Sequence, residues 1–109
     1  MNLTIKPLES FKKSAKKLAK RYKNIAEDLC TLEEELTTNP DRGTYIGSNC
    51  YKIRVANSSI PTGKSGGFRV IYYKKIKHTI YLMDIYSKSD MENITDEKIL
   101  EILRGNGLE

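Results

Sequence analysis

Cysteine, histidine and long apolar runs are the scarce features of this chain. Its two cysteines, Cys30 and Cys50, are far apart in sequence and have no ligand-spaced histidines beside them, which argues against a zinc site and against a disulfide framework. Reduced, partly buried thiols are expected, and neither a metal nor a cofactor. The one histidine, His78, stands among Lys74, Lys75 and Lys77, a neighbourhood that suits a solvated loop tip better than a catalytic base. No stretch approaches the ~20 consecutive apolar residues of a membrane span, and the start MNLTIKPLES lacks the apolar centre of a signal peptide. A cytoplasmic protein without membrane contact is therefore expected. With 109 residues, 39% hydrophobic and 30% charged, the chain has apolar surface for one domain over 1–109 and little to spare for a deep enclosed pocket. Any active site should be a surface groove.

What the chain has in quantity is positive charge, unevenly spread. The net charge of +5 divides into +2 over residues 1–43, +7 over 44–88 and −4 over 89–109, and the middle segment also holds six of the seven tyrosines. Cations mixed with aromatics suit a surface that meets phosphates and stacked bases.

Hydrophobic periodicity sets the order of elements. Leu3 and Ile5 alternate before Pro7, a short first strand. Phe11, Ala15, Leu18, Ala19, Tyr22, Ile25, Ala26, Leu29, Leu32 and Leu36 then recur at helical steps, with Ser10 available as a cap. Seven basic residues lie in Lys12–Lys23 and five acidic ones in Glu27–Glu35, so a break near Lys23–Asn24 would fold an antiparallel helix pair with opposite charges side by side. Thr38–Gly43 reads as a turn. From Thr44 the pattern is that of strands. Tyr51, Ile53 and Val55 would meet the core, leaving Lys52 and Arg54 together on the other face. Asn57–Gly67 is a Gly/Ser/Pro-rich connection carrying Lys64. Phe68–Tyr73 and Thr79–Tyr86 should form an antiparallel hairpin. Thr95 caps a final helix built on Ile99, Leu100, Ile102 and Leu103, which Gly105 and Gly107 end.

This order, with YKIRVA, then GKSGGFRVIYY, then YLMDIYSKSDMENIT, resembles the RelE/HigB family of type II toxins in the RelE/ParE superfamily. The resemblance covers nearly the whole chain. It implies an α+β fold: a curved antiparallel sheet with an N-terminal helical hairpin and a short C-terminal helix. It also implies a ribosome-dependent endoribonuclease that cuts messenger RNA in the A site and is neutralised by a cognate antitoxin. The partners implied are the antitoxin, the 70S ribosome and the messenger.

Metal-free RNA cleavage needs the ribose 2′-hydroxyl to attack the adjacent phosphorus, giving a 2′,3′-cyclic phosphate and a 5′-hydroxyl. A base, cations for the growing phosphate charge and an acid for the leaving oxygen are required. Lys52, Arg54 and Arg69 are similar in position to the family's catalytic basic residues. Arg69 is the first candidate, because a planar guanidinium grips two phosphate oxygens and Gly66-Gly67 before it leave bare backbone for a nucleotide to approach. Lys52 is a candidate base as well as a cation. Lys88 and Tyr86 stand where family members keep basic or hydroxyl groups. The chain departs from the pattern further on: relatives place an arginine and a tyrosine beyond this strand, whereas here come Ser89, Asp90, Met91 and Ile94, with no tyrosine after Tyr86.

Tyr73 would stack on a base or pack in the core; Lys64 would touch phosphate or be an exposed linker lysine. Lys12, Lys13, Lys16 and Lys20 would contact ribosomal RNA or form a solvated helix face. A groove with so few groups to organise RNA implies that the ribosome supplies substrate geometry. Two other functions use the same fold: a ParE-like toxin that binds DNA gyrase without nuclease activity, and a module that binds RNA without cutting. The cluster of Lys52, Arg54 and Arg69 discriminates, since a gyrase binder has no need of cations converging on a phosphate.

Overall fold

The computed structural model describes residues 3–61, 66–75 and 78–109. Eight elements follow one another: β1 (Thr4–Pro7), α1 (Glu9–Ala19), α2 (Ile25–Thr38), β2 (Thr44–Gly47), β3 (Cys50–Val55), β4 (Phe68–Tyr73), β5 (Thr79–Ser87) and α3 (Asp96–Gly105). They build a five-stranded sheet in the order β1-β5-β4-β3-β2, with helices on both faces. The α+β expectation holds. Four strands pair antiparallel, and β1 joins the edge parallel to β5 because the helix pair carries the chain away before the meander begins. One strand pairing lay hidden in the sequence. β2 turns back onto β3 through Gly47, Ser48 and Asn49, all at positive φ (97°, 53° and 62°), where glycine is free and asparagine is tolerated.

The two faces are packed differently. Phe11, Leu18, Leu32 and Leu36 of the helix pair cover Val55, Phe68, Val70 and Tyr72 on one face, as the helical period requires. On the other, Ile99, Ile102 and Leu103 of α3 cover Cys50, Ile71, Tyr73 and Met83. Ala19 and Ala26, expected in the apolar stripe, are exposed, because the chain breaks at 20–24 and each helix faces the sheet on its own phase. The opposite charges of the two helices form no ion pair with each other among the described residues: Lys12 bonds Glu9 of its own helix and Arg21 bonds Asp90, beyond β5. Thr95 does cap α3, its Oγ1 accepting from the Lys98 amide at 3.1 Å. Ser10 does not cap α1, which begins at Glu9 after Leu8.

Ser10 has another task. β5 carries one residue more than β4 at Met83, since Ile71 pairs with Asp84 but Tyr72 with Leu82, a bulge that reverses the in–out alternation along the strand. Without it, Tyr86 would share the face of Ile80 and Leu82 beneath the helix pair. With it, Tyr86 lies on the opposite face. The Ser10 hydroxyl donates to the Met83 carbonyl at 2.5 Å, and one helical turn later Ser14 donates to Asp84 at 2.5 Å. α1 thus clamps the bulge at the stretch of β5 that β1, whose pairing ends at Leu82, leaves uncovered.

Candidate active site

Strand register assembles the site. Arg54 of β3 pairs with Arg69 of β4, and Arg69 pairs with Tyr86 of β5, so three side chains form one row across the α3 face. Lys52 follows two residues along on the same face. Two cations directly opposite each other destabilise an antiparallel pair. Their presence at the centre of the sheet is the arrangement of a site built for an anion.

Arg69 is 5% exposed. Burial pushes its pKa below the ordinary arginine value, neighbouring Arg54 pushes the same way, and Tyr86 opposes them. Its Nη1 donates to the Phe68 carbonyl at 3.3 Å. The glycine before Phe68 explains how the strand comes this close: a Cβ on Gly67 would lie 2.2 Å from the Val55 carbonyl oxygen and 3.0 Å from the Asn57 nitrogen. The open backbone expected to admit a nucleotide at Gly67 is thus filled by β3 itself.

Tyr86 is buried beside Arg69, and its hydroxyl makes no hydrogen bond of full geometry among the described residues. Burial raises its pKa above the tyrosine norm, against the nearby Ile94 backbone and Arg69, which lower it. The hydroxyl therefore keeps its proton at neutral pH, ready to donate. Lys52 is half-buried, with Nζ donating to Asn93 Oδ1 at 3.0 Å. Lys52 and Arg54 line a groove of about 440 Å³ with Arg42 and Thr44; Arg42 reaches Glu35 at 2.7 Å and adds a third cation.

Lys88 is exposed at the end of β5, its amide bonded to the Gly67 carbonyl at 3.1 Å. The loop that carries it is tied down on the helix side. Ser87 and Ser89 share a 2.8 Å hydrogen bond, Arg21 reaches Asp90 at 2.6 Å and the Tyr22 hydroxyl at 2.9 Å, and Tyr22 packs edge-on against Phe68 at 5.5 Å. Hydrogen bonds from Ser87 and Ser89, followed by Arg21, lower the Tyr22 pKa against the effect of its burial.

The remaining candidates lie elsewhere. Tyr73 is 4% exposed and packs beside Tyr81 at 6.1 Å, four residues along β4 from Arg69, so its ring has no free face for a base. Lys12, Lys13, Lys16 and Lys20 are exposed on α1, which covers the opposite face of the sheet. His78 is exposed in the turn before β5, and Lys64 lies outside the described residues. Sequence reading missed Arg42, Asn93 and the Arg21–Asp90 tie. The first had a signal, a lone arginine beside the turn that opens β2; the other two are long-range contacts with none.

A family model described as the RelE toxin of the RelE/RelB toxin–antitoxin system matches residues 8–104. The chain belongs to the RelE toxin family. Among solved structures, an arginine double mutant of E. coli toxin RelE in the free state superposes with a TM-score of 0.60 at 19% identity, over 95% of this chain and 97% of that one, a likeness of fold. Membership makes this RelE toxin one half of a toxin–antitoxin pair, with an antitoxin as partner and endoribonuclease action on messenger RNA at the ribosome as its activity.

Proposed function

We propose that this RelE toxin cleaves messenger RNA without metal, by attack of the ribose 2′-hydroxyl on the adjacent phosphorus, in the row Arg54–Arg69–Tyr86. The observation that carries the reading is the pair of opposed arginines beside a buried tyrosine hydroxyl that keeps its proton. Arg69 and Arg54 hold the non-bridging oxygens and take up the charge that grows there. Tyr86 gives its proton to the departing 5′ oxygen, filling the role for which no tyrosine follows it in the chain. We assign the 2′ proton to Lys52, whose Nζ is oriented by Asn93. Lys88 and the Arg42 groove hold flanking phosphates, and the α1 lysines lie against ribosomal RNA. The products are a 2′,3′-cyclic phosphate and a 5′-hydroxyl, formed in the cytoplasm where the ribosome presents the messenger.

The test is induced expression of the wild-type chain and of Arg69→Ala, with primer extension on an abundant messenger. Cuts in phase with codons, lost by about 100-fold or more in the variant, are expected. In-phase cuts that persist in Arg69→Ala would remove the central residue. Growth arrest without new 5′ ends would remove the nuclease chemistry.

A further inference from the structure

The row of cations has two flanks of different chemistry. On the β3 side lies the groove of Arg42, Lys52 and Arg54, suited to a run of phosphates. On the β5 side, across Tyr86 from Arg69, lies a second groove of about 550 Å³ between α1 and the uncovered edge of β5, lined by Ser14, Lys17, Arg21, Asp84, Tyr86 and Met91. Its character is mixed. Met91 is one of three large hydrophobic residues left exposed among those described, at 38%, and offers an adaptable apolar surface. Asp84 is 7% exposed, and both of its hydrogen bonds, from the Ser14 hydroxyl and the Ile85 amide, fall on Oδ1. Oδ2 receives none among the described residues, and Asp84 is part of the groove's lining.

A carboxylate oxygen there repels a phosphate backbone and accepts from an N–H. Arg21 is already engaged by Asp90 and Tyr22, which leaves Lys17 as the exposed cation for an acceptor on the same ligand. An apolar wall, an acceptor and a donor are the requirements of a nucleobase. We propose that this groove seats the base of a nucleotide next to the scissile phosphate and that Asp84 selects an amino-bearing base. Guanine fits best, since N1–H and the 2-amino group both converge on Oδ2 while O6 faces Lys17. Uracil fits worst, since two carbonyls flank its only edge N–H and meet the carboxylate head on. The proposal rests on the nuclease reading and adds a specificity determinant to it.

The experiment is cleavage on ribosomes programmed with messengers whose A-site codons differ by one base at each position, comparing wild type with Asp84→Asn. The amide keeps an oxygen for Ser14 and Ile85 but turns Oδ2 into a donor. Wild type should cut guanine about tenfold faster than uracil at one codon position, and Asp84→Asn should bring the two within about threefold, at an unchanged melting temperature. A wild type indifferent to the base at every position overturns the proposal. So does a preference that Asp84→Asn leaves intact, or a loss of cutting that is uniform across codons. Absence of wild-type cleavage on every codon is a different result, which removes the nuclease reading itself. If Asp84→Asn does not fold, the wild-type protein carries the test: guanosine 5′-monophosphate should shift the amide resonances of Ser14, Lys17 and Met91 at lower concentration than uridine 5′-monophosphate. An equal or absent response overturns the subsite.

Discussion

Arg69 and Lys52 are both cations, but they are asked to do different things. Arg69 is buried beside another arginine, and a planar fork is what such a site uses, so Arg69→Lys retains charge but loses the two-oxygen grip. We expect a cleavage loss of at least about tenfold in single-turnover assays on ribosomes. Lys52→Arg separates two roles of one side chain. Arginine keeps the charge and cannot release its proton, so a loss of about 100-fold identifies proton transfer, and wild-type activity confines Lys52 to charge. Tyr72 carries a pH prediction of another kind. It is buried, donates to the Pro40 carbonyl at 2.9 Å, accepts from Gly43, and has its pKa pushed up to about 12, chiefly by burial. The folded state holds this proton more tightly than the unfolded chain does. Its contribution is therefore complete below pH 10 and is lost as pH rises towards 12, about 3 kcal/mol across the window. Cys50, pushed up to about 11 by burial, adds the same sign from pH 9. Denaturant midpoints measured from pH 8 to 12 should fall, and Tyr72→Phe should flatten the upper part of the decline.

At the scale of elements, the loop after β5 depends on the corner between α1 and α2. Tyr22, Arg21, Asp90 and the two serines around Lys88 form one network. If it orients Lys88, then Tyr22→Phe, which keeps the ring against Phe68, slows cleavage in the wild type but has no further effect in a Lys88→Ala background. Additive losses would limit the network to stability. The close approach of β3 and β4 at Gly67 predicts that Gly67→Ala, with its Cβ 2.2 Å from the Val55 oxygen, costs about 2 kcal/mol or more in chemical denaturation. These are properties of strand contacts, and only part of them could be read in the chain. Phe68–Tyr73 was legible as a strand to the residue, because β-branched and aromatic residues, interrupted only by Arg69, run between Gly67 and a polar stretch. β2 was not delimited, because a four-residue edge strand with Tyr45 and Ile46 exposed has no buried face to leave a period.

At the scale of the whole molecule, two groups of cations lie on opposite faces of the sheet. The α3 face presents Lys52, Arg54 and Arg69, and α1 presents Lys12, Lys13, Lys16 and Lys20 on the far side. A messenger on the first and ribosomal RNA against the second is an arrangement that salt can test. Replacing the four α1 lysines by glutamine should lower the slope of log affinity for the ribosome against log salt by roughly 3, given about 0.7–0.9 per phosphate contact. An unchanged slope would leave them as a solvated face.

The sequence by itself determined that Lys52 and Arg54 share one strand face, since period two alone puts them there, and charge segregation marks the middle of the chain as the basic one. It also carried the family. It did not determine that Tyr86 joins them. Read at period two, Tyr86 falls with Ile80 and Leu82 on the helix-pair side; only the extra residue at Met83, held by Ser10 from α1, turns it to face Arg69. Periodicity is a local property that one unpaired residue inverts, and what stabilises that residue is a hydrogen bond across 73 positions of chain. Separations of 41 and 69 positions likewise divide reading from structure at Asn93 and Asp90, whose roles exist only because the chain beyond β5 returns over Lys52 and meets Arg21.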